Sequence, residues 1–284
     1  MLWMAATGVL FTILNALLKM VSHEIDPWLA GWLRYLLGAL VMLPLVLRPG
    51  QAQLWPRRHG LQFVRGLFHA GGLVLWFTAL PFITLAELTA IGFSGPLFIC
   101  LGAVLFLKER MDAGRWAAVL VGFGGVILVV HPWDAGGFDG LSKGTLFMLA
   151  SAPVFAGSFL AAKLQTRYES SGVIVLWQHL WVALLMLPFA LAGWSMPNAE
   201  QWTLLVIAGF LGAGGHYCTT RAFQVADISA VQSVKFLDLV WAALLGLALF
   251  GNVPTGWTLA GGMVILVSTL LLARREAHAV ARGA

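Results

Sequence analysis

The chain has 284 residues, a formal net charge of +5, 60% hydrophobic and only 10% charged side chains, and a mean hydropathy of +0.87. A water-soluble domain carries about a quarter charged residues and cannot hide this much apolar surface, so a soluble globular fold is excluded and lipid is the solvent. A span needs roughly 20 residues to cross about 30 Å of hydrocarbon, which leaves room for about ten spans and no sizeable domain outside the bilayer.

The first apolar stretch, residues 2–21, opens without the basic region and cleavage site of a secretory signal and reads as a retained span. Pro27 opens the second, 28–47, at a position where a missing N–H costs nothing. Further spans are expected at 61–80, 83–107, 114–131, 144–163, 172–192, 201–221, 227–250 and 256–273. Pro49-Gly50, Pro56, Pro81, Pro132, Gly136-Gly137, Pro197 and Pro254 punctuate the breaks. The expected fold class is all-α: a polytopic membrane protein of ten transmembrane helices. Cys100 and Cys218 lie in apolar runs with no CxxC or Cys/His spacing, so they read as small buried residues, with no disulfide, metal or cofactor.

Numbering the loops alternately puts Arg48, Arg57, Arg58, Lys108, Arg110, Arg115, Lys163, Arg167, Arg221, Arg274, Arg275 and Arg282 on one side and Lys143 alone on the other. Positive charge marks the cytoplasmic face, so both termini are expected inside a bacterial inner membrane and the acidic loop 131–142 outside. The net charge is then a topology signal and not a nucleic-acid patch.

Internal similarity comes next. ALVMLPLVL (39–47) matches ALLMLPFAL (183–191) at six of nine positions, and LFLKERMDAGRW (105–116) stands opposite ALFGNVPTGWTL (248–259). A repeat of five spans, being odd, must be inverted relative to its copy. Inverted repeats mark secondary transporters, whose sites lie near the midplane between the halves. The expected units are residues 1–133, 141–275 and a cytoplasmic tail, 276–284.

The segment FSGPLFICLGAVLFLKERMDAGRWAAVLVGFGGVILVVHP (93–132), with its Pro, its Lys108-Glu109-Arg110 turn and its Gly-rich following span, resembles the EamA-type branch of the drug/metabolite transporter superfamily, and 236–266 is its counterpart. The resemblance implies a ten-helix carrier of two inverted five-helix repeats. Gly251-Asn252-Val253-Pro254 stands where the family usually has a Glu, so a gating or loop-fixing role for that Glu would be retained by the first repeat alone. The run 64–87 looks like the subgroup that includes S-adenosylmethionine and riboflavin carriers.

Ionisable groups within spans are costly and are the default site candidates. Lys235 and Asp238 share a face of the ninth span, as a substrate-charge or coupling site or as an internal ion pair. Arg34 and Glu87 lie a turn or two below the outer surface, placed to pair as an outer gate or to bind a zwitterion. Arg34 aligns with Gln178, and Tyr35 with His179, at the repeat offset. Asn15, His69, His179 and His216 are path-lining or helix-bridging candidates, and a neutral His can shuttle protons. Trp76, Trp241 and Tyr217 are candidates for stacking on a flat or cationic ligand. The small-residue runs 122–130 and 260–267 are scaffold or homodimer faces, and Gly71-Gly72 and Gly214-Gly215 are candidate hinges.

The favoured function is a secondary transporter of a small polar metabolite (an amino acid, S-adenosylmethionine or a flavin-like molecule) by alternating access, with proton coupling an option. The alternatives are an exporter of the same fold, a channel or a structural membrane subunit. HExxH, GxSxG, paired catalytic carboxylates and a P-loop are absent from the sequence, which argues against a membrane enzyme and against an ATP-driven pump in this chain.

Overall fold

Helices make up nearly all of a computed structural model of the chain, which describes residues 1–21, 25–48, 54–79, 82, 91–130, 143–250 and 255–283; no strand occurs among them. The helices are α1 (Leu2–Val21), α2 (Pro27–Val46), α3 (His59–Ala79), α4 (Gly95–Phe106), α5 (Ala113–Val130), α6 (Lys143–Gln165), α7 (Ser171–Ala192), α8 (Ala199–Val225), α9 (Ile228–Lys235), α10 (Leu237–Phe250) and α11 (Gly256–Gly283). Helix starts carry sequence-encoded caps. Asp26 accepts from the Trp28 and Leu29 amides at 2.9 and 3.1 Å, with Pro27 at the first position. Asn198 and Gln201 form a reciprocal capping box at α8.

Two expected spans change form. The fourth, expected at 83–107, is described as a helix from Gly95, with 83–90 outside the described residues. The ninth is divided at Phe236. The Ser233 carbonyl there accepts from the Thr269 hydroxyl of α11 at 3.2 Å and from the Phe236 amide at 3.4 Å, a tightened turn made where a side chain enters the helical ladder. The tenth span runs past its apolar stretch, and α11 continues to Gly283.

Burial is reversed relative to a soluble protein. Phe106, Leu105, Leu259 and Met263 are 74, 61, 65 and 62% exposed, while Arg65, Gln62, His179 and Gln178 are 1, 0, 0 and 0% exposed. That reversal is expected when hydrocarbon surrounds the bundle and polar groups turn inward. α2, α6, α7 and the stretch 228–245 are each long and apolar enough to cross a membrane, and α1, α4, α5 and α11 hold shorter apolar stretches. α3 and α8 fall below that hydropathy because they carry the polar interior, including Gln62, Arg65 and His69 on α3 and His216, Thr219 and Thr220 on α8.

The packing repeats itself. α3 lies on α6 as α8 lies on α1, and α3 meets α7 as α8 meets α2. α2 packs on α7, and α5 on α11, each a pair of corresponding helices. The likeness reaches single contacts. A Cβ on Gly72 would stand 2.8 Å from the Phe155 ring, and one on Gly215 would stand 2.7 Å from the Phe11 ring. Gly72 and Gly215 are thus points of closest approach between helices. On α5, a Cβ on Gly125 would meet the Gly261 carbonyl at 2.9 Å, so this small-residue face closes on α11 within one chain.

The end of the bundle with the basic loops is held by polar contacts. Glu109, in the loop after α4, accepts from the Ile228 and Ser229 amides at 3.0 and 3.1 Å and from the Ser229 hydroxyl at 2.7 Å. Its carboxylate therefore caps α9, a helix of the other half. Arg115 pairs with Asp227 at 3.1 Å beside it. Glu169, before α7, accepts from the Arg57 and Arg58 amides ahead of α3. Lys163 donates to the Phe223 and Ala226 carbonyls at 2.7 and 2.6 Å, at the C-terminal end of α8.

Candidate functional site

Four rings meet at the centre of the bundle: Tyr35 of α2, His69 of α3, His179 of α7 and His216 of α8, all buried. Ring centres are 5.1 Å apart for Tyr35–His179, 5.2 Å for His69–His216, 5.4 Å for His179–His216 and 5.7 Å for Tyr35–His69. The four helices are the corresponding pairs α2/α7 and α3/α8, so the layer sits where the two similarly packed sets of helices touch. Phe155 of α6 stands edge-on to His69 at 5.3 Å and Phe11 of α1 to His216 at 5.0 Å. These two phenylalanines are themselves related by the repeat offset.

Hydrogen bonds set the ring chemistry. Tyr35 Oη and His69 Nε2 are 2.7 Å apart, and His69 Nδ1 lies 3.2 Å from Ser158 Oγ. A neutral imidazole has one donor and one acceptor, so the three side chains form a continuous hydroxyl–imidazole–hydroxyl line. His179 Nδ1 is 2.9 Å from the Val175 carbonyl. A carbonyl only accepts, so the proton is on Nδ1 and Nε2 is a bare acceptor. That Nε2, and Nδ1 of His216, are buried with no hydrogen-bond partner among the described residues.

Two guanidinium groups flank the layer. Arg34 lies 4.0 Å above the Tyr35 ring, a cation–π contact, with its Nη1 at α8 in space that Gly212 leaves open. Arg65 donates to Gln178 Oε1 at 2.5 Å and to Gln165 Oε1 and the Ile174 carbonyl at 3.3 Å each. All three partners are neutral. Gln62, one turn away, is fully buried, and neither of its amide atoms has a hydrogen-bond partner among the described residues. α2 starts beside the C-terminal end of α7, where Asp26 faces Gly193, and α3 starts beside the N-terminal end of α7, where Arg57 and Arg58 meet Glu169. Each arginine is about 10 Å inside its helix start, so the two charges lie on opposite sides of the ring layer.

A second polar element adjoins the first. Lys235 Nζ and Asp238 Oδ2 are 2.5 Å apart, with side chains 25 and 15% exposed. They straddle the tightened turn at Phe236, Lys235 in the last turn of α9 and Asp238 in the first turn of α10, each favourably placed for the helix dipole there. The ammonium lies 5.3 Å from the Phe11 ring, so Phe11 separates the ion pair from His216. Asp238 Oδ1 and Trp241 Nε1 are buried without partners among the described residues, and Gly8 of α1 leaves room for both side chains.

The sequence candidates thus divide. Arg34, His69, Gln178, His179 and His216 converge, with Gln178 held on Arg65. Lys235, Asp238 and Trp241 form the neighbouring element. Trp76 packs instead with Ala79, Ile91 and Met148 and edge-on to Phe77. Tyr217 meets Trp3 at 6.4 Å, and Asn15 is exposed on α1. Glu87 lies outside the described residues. Sequence reading missed Arg65, Gln62, Gln165 and Ser158. The signal was present, since Gln62, Arg65 and His69 recur at helical spacing along one face of α3.

A helical membrane bundle whose polar side chains are withdrawn from lipid into a layer between two like sets of helices is built as a carrier of small solutes. The EamA-like transporter family model matches residues 1–131 and again 142–274, and the chain belongs to that family. A riboflavin transporter of Rhizobium johnstonii is 31% identical over 281 residues, covering 97% of this chain and 91% of that protein. An S-adenosylmethionine uptake transporter of Rickettsia felis is 26% identical over 264 residues, covering 93% of this chain and 88% of its own. A crystal structure at 23% identity superposes with a TM-score of 0.81 over 96% of both chains, which speaks to the fold alone. The protein is a small-metabolite transporter of the EamA type.

Proposed function

We propose that the two halves, 1–133 and 141–275, are inverted repeats that move a small polar metabolite across the bacterial inner membrane by alternating access. The observation that carries this reading is the ring layer of Tyr35, His69, His179 and His216, supplied by corresponding helix pairs. A site on such an interface is reached from either side when one half rocks against the other. A flavin-like cargo has the support of the riboflavin transporter at 31% identity; S-adenosylmethionine and amino acids are the other members of the class. Lys235–Asp238 and the Ser158–His69–Tyr35 line serve binding or proton coupling. The basic-loop end, with both termini, faces the cytoplasm by the positive-inside rule. Homodimer contacts fall to the outer faces of α5 and α11, where Gly124 has open space. No step in this account is catalytic and none calls for a cofactor.

Counterflow tests the proposal. Proteoliposomes preloaded with unlabelled riboflavin should accumulate labelled riboflavin transiently and saturably. Entry that rises linearly with concentration and ignores the preload is the behaviour of a pore and would contradict the carrier reading.

A further inference from the structure

We infer that Arg34 and Arg65 are docking points for oxygen acceptors of the cargo, so that the carrier takes a neutral acceptor-rich or an anionic molecule and rejects cations. This rests on the carrier reading above and narrows its substrate class.

Among the described residues, the charges around the ring layer do not balance. No carboxylate among the described residues lies within ion-pair distance of either guanidinium. Asp26, Glu109 and Glu169 are engaged at helix starts, Asp227 with Arg115 and Asp238 with Lys235. Lys235 is neutralised locally and adds nothing to the excess. A guanidinium withdrawn from water is unfavourable unless some state of the working cycle supplies a counter-charge or further oxygen acceptors for its N–H groups. In a carrier, that state is the loaded one. Arg65 is 1% exposed and, among the described residues, held by neutral oxygens, and Gln62 beside it has both amide atoms without a described partner. A guanidinium fork fits paired oxygens, whether of a carboxylate, a phosphate or the carbonyls of an imide. Phe11, Phe155 and Tyr35 pack on the histidine rings of the same layer, so the guanidinium groups border an aromatic cluster. A flat ring with carbonyl oxygens meets both demands, and a phosphate on such a ring adds to the attraction. A sulfonium or ammonium cation meets two like charges.

Competition for riboflavin counterflow distinguishes these cargoes, with unlabelled riboflavin as the neutral probe, flavin mononucleotide as the anionic one and S-adenosylmethionine as the cation. The expected result is competition by riboflavin or by flavin mononucleotide and none by S-adenosylmethionine. Arg34→Gln, which breaks no hydrogen bond to a carboxylate, should weaken apparent riboflavin affinity by about tenfold with an unchanged melting temperature, the scale of one charge-assisted hydrogen bond. Arg65→Lys keeps the charge, loses the fork and should fall between Arg34→Gln and the unmodified protein. Exchange of S-adenosylmethionine in preference to both flavins would leave the carrier standing and overturn the inference. So would Arg34→Gln protein with riboflavin affinity within about twofold of the parent, since a bound charge-assisted contact is worth more than that. If none of the three probes exchanges, the inference falls together with the flavin-like cargo, and exchange of an amino acid would leave the carrier reading standing.

Discussion

Lys235→Ala is expected to abolish counterflow and to lower the melting temperature, whereas Lys235→Ala/Asp238→Ala should recover the melting temperature and not the transport. The ion pair has a 2.5 Å contact and straddles the α9–α10 turn. Removing the lysine alone leaves a carboxylate facing α1, with Oδ1 already lacking a partner among the described residues. Breaking a fully buried pair from one side costs about 3–5 kcal/mol; here the cost is at the lower end, because the side chains keep 25 and 15% exposure. Replacing both partners removes the stranded charge. A transport defect that persists in the stable double variant can then be assigned to the charges themselves. Calorimetry or a thermal-shift melt in detergent, alongside counterflow, separates the two effects. Transport at the parental rate in the double variant would make the pair a device that orders the helix turn and nothing more.

The second large effect is expected at Glu109. Its two oxygens serve two amides and one hydroxyl at the start of α9, at 3.0, 3.1 and 2.7 Å. A carboxylate at a helix N-terminus also meets the positive end of the dipole. Glu109→Gln keeps one acceptor oxygen, puts an NH2 against N–H donors and removes the charge, so a loss of about 1–2 kcal/mol is expected, the upper range of a helix cap. The contact joins the loop after α4 to the start of α9 at the basic end, so under the proposed alternating access its loss is expected to alter opening there. Counterflow should fall while a melt reports a folded, less stable protein. An unchanged melt and rate would show that Asp26, Asn198 and the other ordinary caps hold the bundle without it. The family-like Glu of the Lys108-Glu109-Arg110 turn therefore has a concrete task here; the second-half counterpart, Gly251 to Pro254, lies outside the described residues.

The sequence was informative about depth and poor about neighbours. Hydropathy breaks located the helices, because each must cross the same thickness of hydrocarbon. A span of 28–47 was expected, and α2 runs from Pro27 to Val46. The repeat offset even paired Tyr35 with His179, which touch in the structure at 5.1 Å. Failures came where the outcome depended on what an opposing helix contributes. The ninth span read as continuous, since the Thr269 hydroxyl that interrupts it arrives from α11. Trp76 and Tyr217 had suitable depth, but their faces turn to Ala79 and Trp3 and not to the ring layer. Arg65 passed unnoticed because an arginine near a basic loop looks like one more topology charge. Its burial follows from Gln165, Ile174 and Gln178, 100, 109 and 113 residues away in sequence.

The central claim is that the ring layer is the substrate site and opens alternately to the two sides. A cysteine at Ser158, beside His69, in a background free of Cys100 and Cys218, tests it most directly. A membrane-impermeant thiol reagent applied separately to each face of sealed vesicles should label that cysteine from both faces, and saturating riboflavin should slow the labelling. Labelling from one face only, at a rate indifferent to riboflavin, would contradict the claim.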